Sequence, residues 1–201
     1  MIKNIIFDVG NVLVDFRYHD YMLQLGFSDD AVKVIEKKLI GNDALWSQLD
    51  YGREPEEETI RKMIGEVPGY EKYVDTFFSN IIDIVETYPY TVSWIKELKS
   101  KGYGVYILSN YPPKWWTLHD KERFGFTHLV DGMVVSGFVN TVKPEKEIYE
   151  CLLKKYDLNP DECLFFDDRK KNIDGAKAAG IHGYVFTTYE DAVEYLKSIG
   201  I

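Results

Sequence analysis

The chain has 201 residues, 45% of them apolar, and a formal net charge of −9. That length holds one generous domain, or one domain carrying an insertion. An acidic chain with no dominant basic patch argues against nucleic acid or an anionic membrane as partner. No apolar stretch approaches the roughly 18 residues of a membrane span, and Met1-Ile2-Lys3-Asn4 does not open a secretory signal. Cys151 and Cys163 suit a reduced compartment better than a disulfide scaffold, so a soluble, cytoplasmic protein is expected.

Residues 2–8 read as a short buried strand, β-branched and apolar on both faces, ending at Asp8. Residues 16–84 read as helices throughout. Ser28 caps a helix over 29–40 whose first turn is acidic and whose stop is Gly41. Pro55 and three glutamates open another, which Gly65 closes. Alternation returns near residue 89: helix 90–100 ending at Gly102, strand 103–109, helix 113–123, a short strand 133–136, helix 145–156, strand 163–167, helix 171–179 ending at Gly180, strand 183–186 and helix 189–198. Strands alternating with helices predict an α/β fold with a parallel, doubly wound sheet. The interval 15–88 is too long for one crossover. It is read as a helical cap inserted after the first strand, over a core of residues 1–14 and 89–201.

Three apolar runs end in polar tips: Asp8, Ser109-Asn110 and Asp167-Asp168, with Lys143 between the last two. Ligands of such sheets bind at the carboxyl ends of strands. An Asp after a strand is commonly a turn residue, and a lone lysine commonly a solvated one. The set together makes a crevice suited to phosphoryl transfer through an aspartyl-phosphate. Asp8 is expected to attack phosphorus. Mg²⁺, which prefers hard oxygens, is expected on Asp8, Asp168 and the Gly10 carbonyl, with Asp167 and Asn172 orienting those ligands. Ser109 Oγ and the Asn110 N–H are expected to hold the transferring phosphoryl, and Lys143 to stabilise its charge. Lys143 precedes Pro144, and the helix starting there is expected to help position it.

These stretches resemble the haloacid dehalogenase superfamily. They are Phe-Asp-Val-Gly-Asn-Val-Leu-Val-Asp (7–15), Leu-Ser-Asn (108–110), Val-Lys-Pro-Glu (142–145) and Phe-Phe-Asp-Asp-Arg-Lys-Lys-Asn-Ile-Asp-Gly-Ala (165–176). The superfamily's phosphatases carry an Asp nucleophile, a Ser/Thr, a Lys and an acidic pair in this order. Within it, the motifs resemble the bacterial α-glucose-1-phosphate phosphatase branch, related to the N-terminal phosphatase domains of epoxide hydrolases. The resemblance implies a Rossmann-like core, a small helical cap inserted after the first strand, and Mg²⁺-dependent hydrolysis of small phosphate esters. Sugar phosphates are the expected substrates, and a monomer or weak homodimer the expected state.

One position departs from the family's pattern. Most of its phosphatases have a second Asp two residues after the nucleophile, as general acid and base; here that residue is Gly10. Such help is typically worth ~10²–10⁴-fold. Asp15 is the nearest other carboxylate in sequence. Two other functions stay open: a dehalogenase attacking carbon without metal, and a non-catalytic phospho-ligand binder. The four histidines show no ligand spacing. Trp115 and Trp116 either line the pocket or pack in the core; Trp46 either stacks on a sugar ring or packs within the cap.

Overall fold

In the computed structural model, residues 1–79 and 81–201 are described; Asn80, inside the block read as helical, lies outside them. Ile5, Ile6 and Phe7 carry no polar atom on their side chains and are wholly buried. They form β1 (Asn4–Phe7), the middle strand of a five-stranded parallel sheet. On one side lie β4 (Gly104–Ser109) and then β5 (Gly132–Val135); on the other lie β6 (Cys163–Asp167) and then β7 (His182–Val185). Phe7 is in register with Ile107 and with Phe166, so β1, β4 and β6 end at one level. The chain builds outward from β1 to β5, then returns to β6 on the other side of β1. The expected polar tips therefore meet where the strand order reverses.

Burial on both faces follows the two-residue period of a strand. Ile5, Phe7 and Phe166 face one apolar cluster, and Ile6, Leu108 and Phe165 face another. Helices α6 (Thr91–Ser100) and α11 (Tyr189–Ser198) supply the first cluster through Trp94, Ile95 and Leu196. Helices α9 (Lys146–Lys155) and α10 (Lys170–Ala178) supply the second through Ile148, Leu152 and Ile173. Helix α7 (Pro113–Glu122) and the short α8 (Ser136–Val139) follow β4 and β5. From residue 89 onward, the predicted elements match the observed ones to within one residue at each end.

The earlier part of the chain holds α1 (Tyr18–Gln24), α2 (Asp29–Ile35), α3 (Asp43–Tyr51), α4 (Glu56–Gly65) and α5 (Glu71–Ser79). Ser28 Oγ accepts the Ala31 N–H at 3.3 Å, the expected cap, and α2 runs on as a π-helical turn (Glu36–Ile40) up to Gly41. The expectation that 15–88 is all helical is corrected at both ends. Strand β2 (Val14–Phe16) pairs antiparallel with β3 (Val85–Thr87), Val14 opposite Thr87. Three residues are too few to display a period, and each strand's partner lies at the far end of the helical block. Among the described residues no helix is long and apolar enough to cross a membrane.

Trp94 shares with Trp115 the rank of largest enclosed side chain among the described residues. Its ring lies 4.6 Å from Phe7, 5.7 Å from Phe166 and 5.2 Å from Tyr189, centroid to centroid. Trp94→Ala should cost about 3–5 kcal/mol of unfolding free energy in a urea titration. A loss below about 1 kcal/mol would contradict this packing.

Candidate active site

Asp8 leaves β1 with its backbone N–H donated to Phe166 O at 2.9 Å, so its position is tied to β6. Its Oδ1 accepts the Val9 N–H at 2.7 Å and lies 2.8 Å from Lys143 Nζ. The Lys143 ammonium also donates to Asp167 Oδ2 at 2.7 Å and to Leu108 O at 3.0 Å. Its three donors thus bind the ends of β1, β4 and β6 together, with the side chain wholly enclosed.

The loop that carries Lys143 is held by Asn110. The Asn110 amide donates to Lys143 O at 3.0 Å and accepts the Lys143 N–H at 2.8 Å. The Lys143–Pro144 bond is cis, and α9 begins only at Lys146. The expectation that a helix beginning at Pro144 positions Lys143 is therefore corrected: the Asn110 side chain does so. From the sequence, Asn110 is expected to contribute only its backbone N–H.

Asp167 is buried and used on both oxygens. Oδ1 accepts the Arg169 N–H at 2.8 Å, and Asn172 Nδ2 reaches Oδ1 at 2.9 Å and Oδ2 at 3.0 Å. Asp168, only partly enclosed, turns Oδ2 to Asn11 Nδ2 at 3.0 Å. Asn11 holds a left-handed φ of 57°, which asparagine tolerates better than most residues. Carboxylate oxygens of Asp8, Asp167 and Asp168 lie within 4.8 Å of one another.

Three carboxylates against one ammonium leave negative charge in excess. Burial, with the charges of Asp167 and Asp168, pushes the Asp8 carboxyl well above the usual range, although Lys143 opposes the shift. Burial also raises Asp168, opposed by the Asn11 hydrogen bond. Burial alone would lower Lys143; Asp167 and Asp8 outweigh it and keep the lysine charged. A hard divalent cation fits this all-oxygen cluster, and Asp8, Asp168 and the Gly10 carbonyl could hold it. Ser109 Oγ, at the tip of β4, is buried with no hydrogen-bond partner among the described residues. A buried hydroxyl without a partner costs about 1–3 kcal/mol, so it suits a ligand oxygen.

A cavity of about 420 Å³ lies between this edge and the helices. Asp8, Gly10, Asn110, Lys143, Asp168 and Asn172 form its floor. Phe16, Tyr18, Ile40, Trp46 and Trp115 form apolar walls, and Asp43 and Asp50 of α3 also face it. Trp46 and Trp115 meet edge to face at 5.9 Å, whereas Trp116 packs away from the cavity on Tyr111 and Phe124. Arg169 grips Asp43 through two bonds of 2.7 and 2.9 Å, and Lys171 joins it. Burial pushes the Asp50 carboxyl up to about 7. Asp15 stands on β2 opposite Glu86 and is not among the residues lining the cavity. His119 is a packing residue. Its Nε2 donates to Ile81 O at 2.8 Å, which leaves Nδ1 to accept from Tyr111 Oη at 2.6 Å.

Asn11, Asp43, Asp50 and Arg169 escaped the sequence reading. Only Asn11 left a trace there, as an asparagine in the turn after a strand. The other three matter through contacts between distant segments.

A family model described as a haloacid dehalogenase-like hydrolase matches residues 2–180. A sesquiterpene phosphatase of Aspergillus oryzae is 30% identical over 92% of this chain and 90% of its own length. A D-ribitol-5-phosphate phosphatase of Bacteroides thetaiotaomicron is 28% identical over 92% and 91%. A haloacid dehalogenase-family enzyme of that bacterium, solved as a magnesium complex, has a TM-score of 0.73 at 25% identity, covering 98% of each chain. An L-2-haloacid dehalogenase from Xanthobacter autotrophicus shares the fold, with a TM-score of 0.68 at 20% identity over 100% of this chain and 84% of that one.

Lys143→Met would leave the Asp8 and Asp167 carboxylates buried without their cation, a change that typically costs about 3–5 kcal/mol. Burial already raises the Asp8 carboxyl, so without its cation Asp8 takes a proton as pH falls, and the deficit should shrink from pH 8 to pH 5. Chemical unfolding of metal-free protein across that range checks both size and sign; a pH-independent deficit would contradict the charge pairing.

Proposed function

The chain belongs to the haloacid dehalogenase-like hydrolases, and on that premise we propose a Mg²⁺-dependent phosphatase of small phosphorylated metabolites, sugar phosphates foremost, acting through an aspartyl-phosphate. One observation carries this reading: three carboxylates crowd around a single enclosed ammonium at the reversal of strand order, beside an unpartnered serine hydroxyl. Asp8 attacks phosphorus with one carboxylate oxygen, and the bond to the leaving oxygen breaks. Lys143 and Ser109 Oγ, with the Asn110 N–H, hold the phosphoryl oxygens. Bound Mg²⁺, held by Asp8, Asp168 and the Gly10 carbonyl, supplies the positive charge that lets a carboxylate approach a phosphate dianion. Asp167 and Asn172 keep Lys143 and the neighbouring carboxylates in place. Water then cleaves the acyl phosphate and regenerates Asp8.

A dehalogenase attacking carbon without metal gains nothing from this excess of buried negative charge. A non-catalytic binder would hold phosphate esters without releasing phosphate. We take residues 15–88 as a cap on a core of 1–14 and 89–201, in a cytoplasmic monomer or weak homodimer. The two cysteines are free, in keeping with a reduced compartment.

The cavity's aromatic walls suit the apolar face of a sugar or polyol, and a relative dephosphorylates D-ribitol 5-phosphate. The same walls give a second reading weight: an isoprenoid phosphate, the class of the sesquiterpene phosphatase relative. A panel pairing sugar phosphates with prenyl phosphates decides between them by kcat/KM.

Phosphate release from a generic ester should require Mg²⁺ and vanish with EDTA. Asp8→Asn keeps the shape but loses the attacking charge, so turnover should fall to background. Asp168→Ala should raise the Mg²⁺ needed and recover in part at high Mg²⁺. Retention of most activity by Asp8→Asn would overturn the reading.

A further inference from the structure

We propose that Asp50, at the end of α3, is the general acid that protonates the departing alcohol oxygen. The proposal rests on the phosphatase reading above and deepens it. An alkyl alkoxide is a poor leaving group, and a proton delivered in the transition state is typically worth ~10²–10⁴-fold. The turn after β1 offers no donor, because Gly10 has no side chain. Nor does the backbone demand glycine there. Gly10 has no positive φ, and a Cβ added to it would meet nothing within 4 Å.

Four carboxyl groups face the cavity: Asp8, Asp43, Asp50 and Asp168. Asp8 is the attacking group, Asp168 is a proposed metal ligand, and Asp43 is tied to Arg169 and Lys171. Asp50 remains. It is 8% exposed, and no donor among the described residues hydrogen-bonds its carboxyl.

Its place is fixed from below. Ser136 Oγ donates to Asp50 O at 2.6 Å and accepts the Tyr111 N–H at 2.9 Å. Gly52 then turns left-handed at φ 59°, so close to Gly137 that a Cβ would fall 2.6 Å from its carbonyl oxygen. Asn140 donates to Tyr51 O at 3.0 Å, and Arg53 binds Asn140 O at 2.7 and 3.0 Å. The carboxyl is thus presented by a rigid junction between α3 and the segment after β5.

The groups that face it are Lys143 on the floor, Arg169 and Lys171 from the start of α10, Asp43 from its own helix and the buried Tyr111. Desolvation outweighs the three cations, so a proton is held to about pH 7. Below that value the acid form prevails, and donation is lost as pH rises through it. In the first step Asp8 forms its bond to phosphorus, the ester P–O bond breaks, and the leaving oxygen takes the Asp50 proton and departs as an alcohol. In the second, Asp50 carboxylate takes a proton from the water that attacks the aspartyl-phosphate. Phosphate leaves, and Asp8 and the Asp50 acid are restored.

The test measures kcat/KM with Mg²⁺ on a series from aryl phosphates to alkyl phosphates. Asp50→Asn should lower it by ~10²–10⁴-fold on alkyl esters and far less on aryl esters, steepening the dependence on leaving-group basicity. Asp50→Glu, which keeps a carboxyl, should lose less. Gly10→Asp added to Asp50→Asn should recover the alkyl esters selectively. In the unmodified protein the alkyl rate should fall above about pH 7 while the aryl rate holds. Equal losses on both ester classes, with Asp8→Asn inactive, would overturn the assignment of Asp50 alone. An active Asp8→Asn would bring down the phosphatase reading itself. Thermal melts of metal-free protein give a readout without turnover. Holding a buried proton favours the folded state below about pH 7, and ionisation removes that advantage. Asp50→Asn should therefore melt higher than the unmodified protein at pH 8, by more than at pH 5. A gap that does not change with pH would also overturn the assignment.

Discussion

Everything at the working edge depends on one enclosed ammonium. The Lys143 side chain is enclosed and directs its three hydrogens to Asp8, Asp167 and the carbonyl of Leu108. A buried charge is tolerable only when paired and hydrogen-bonded, and here the partners come from three neighbouring strands. The geometry therefore exists only when β1, β4 and β6 end in register. Conversely, a register slip of one residue would turn Asp167 to the other face and leave a cation unpaired in the interior. Fold and chemistry impose the same condition on the chain.

The cluster is nevertheless electrically incomplete. One ammonium cannot balance three carboxylates whose oxygens lie within 4.8 Å of one another. The protein holds this charge in place through Asn11, Asn172 and backbone N–H groups rather than by adding a second lysine. On the function proposed above, that excess charge is what draws a divalent cation and, through it, a phosphate dianion, so that binding would relieve a repulsion built in by folding.

Much of this is legible in the amino-acid sequence. The strand runs ending at Asp8, Ser109 and Asp167 are apolar on both faces, and with helices alternating between them a buried parallel sheet is the arrangement they favour. Their polar tips then had to meet. Lys143 was legible as a charge near them. What stayed hidden depends on contacts between distant segments. The Asn110 amide holds a loop beyond β5, and Arg169 reaches Asp43 on α3. Asp50 looks in sequence like any acidic residue near a helix end; only its enclosure against the floor of the cavity distinguishes it. The β2–β3 ribbon escaped because its pairing is decided by where the helical block begins and ends, not by the pattern within either strand.

The two ends of α3 are fastened differently, and the difference decides which end the solvent can influence. At the N-terminal end, Asp43 is held by Arg169 and Lys171 through solvent-exposed ion pairs, each worth about 0–1 kcal/mol and weakened by salt. At the C-terminal end, backbone hydrogen bonds and the close passage of Gly52 over Gly137 leave little room to move. Salt therefore reaches one end of the helix and not the other. Asp50 sits at the end whose fastening is independent of ionic strength, so its place in the cavity is set by backbone hydrogen bonds and steric closeness alone.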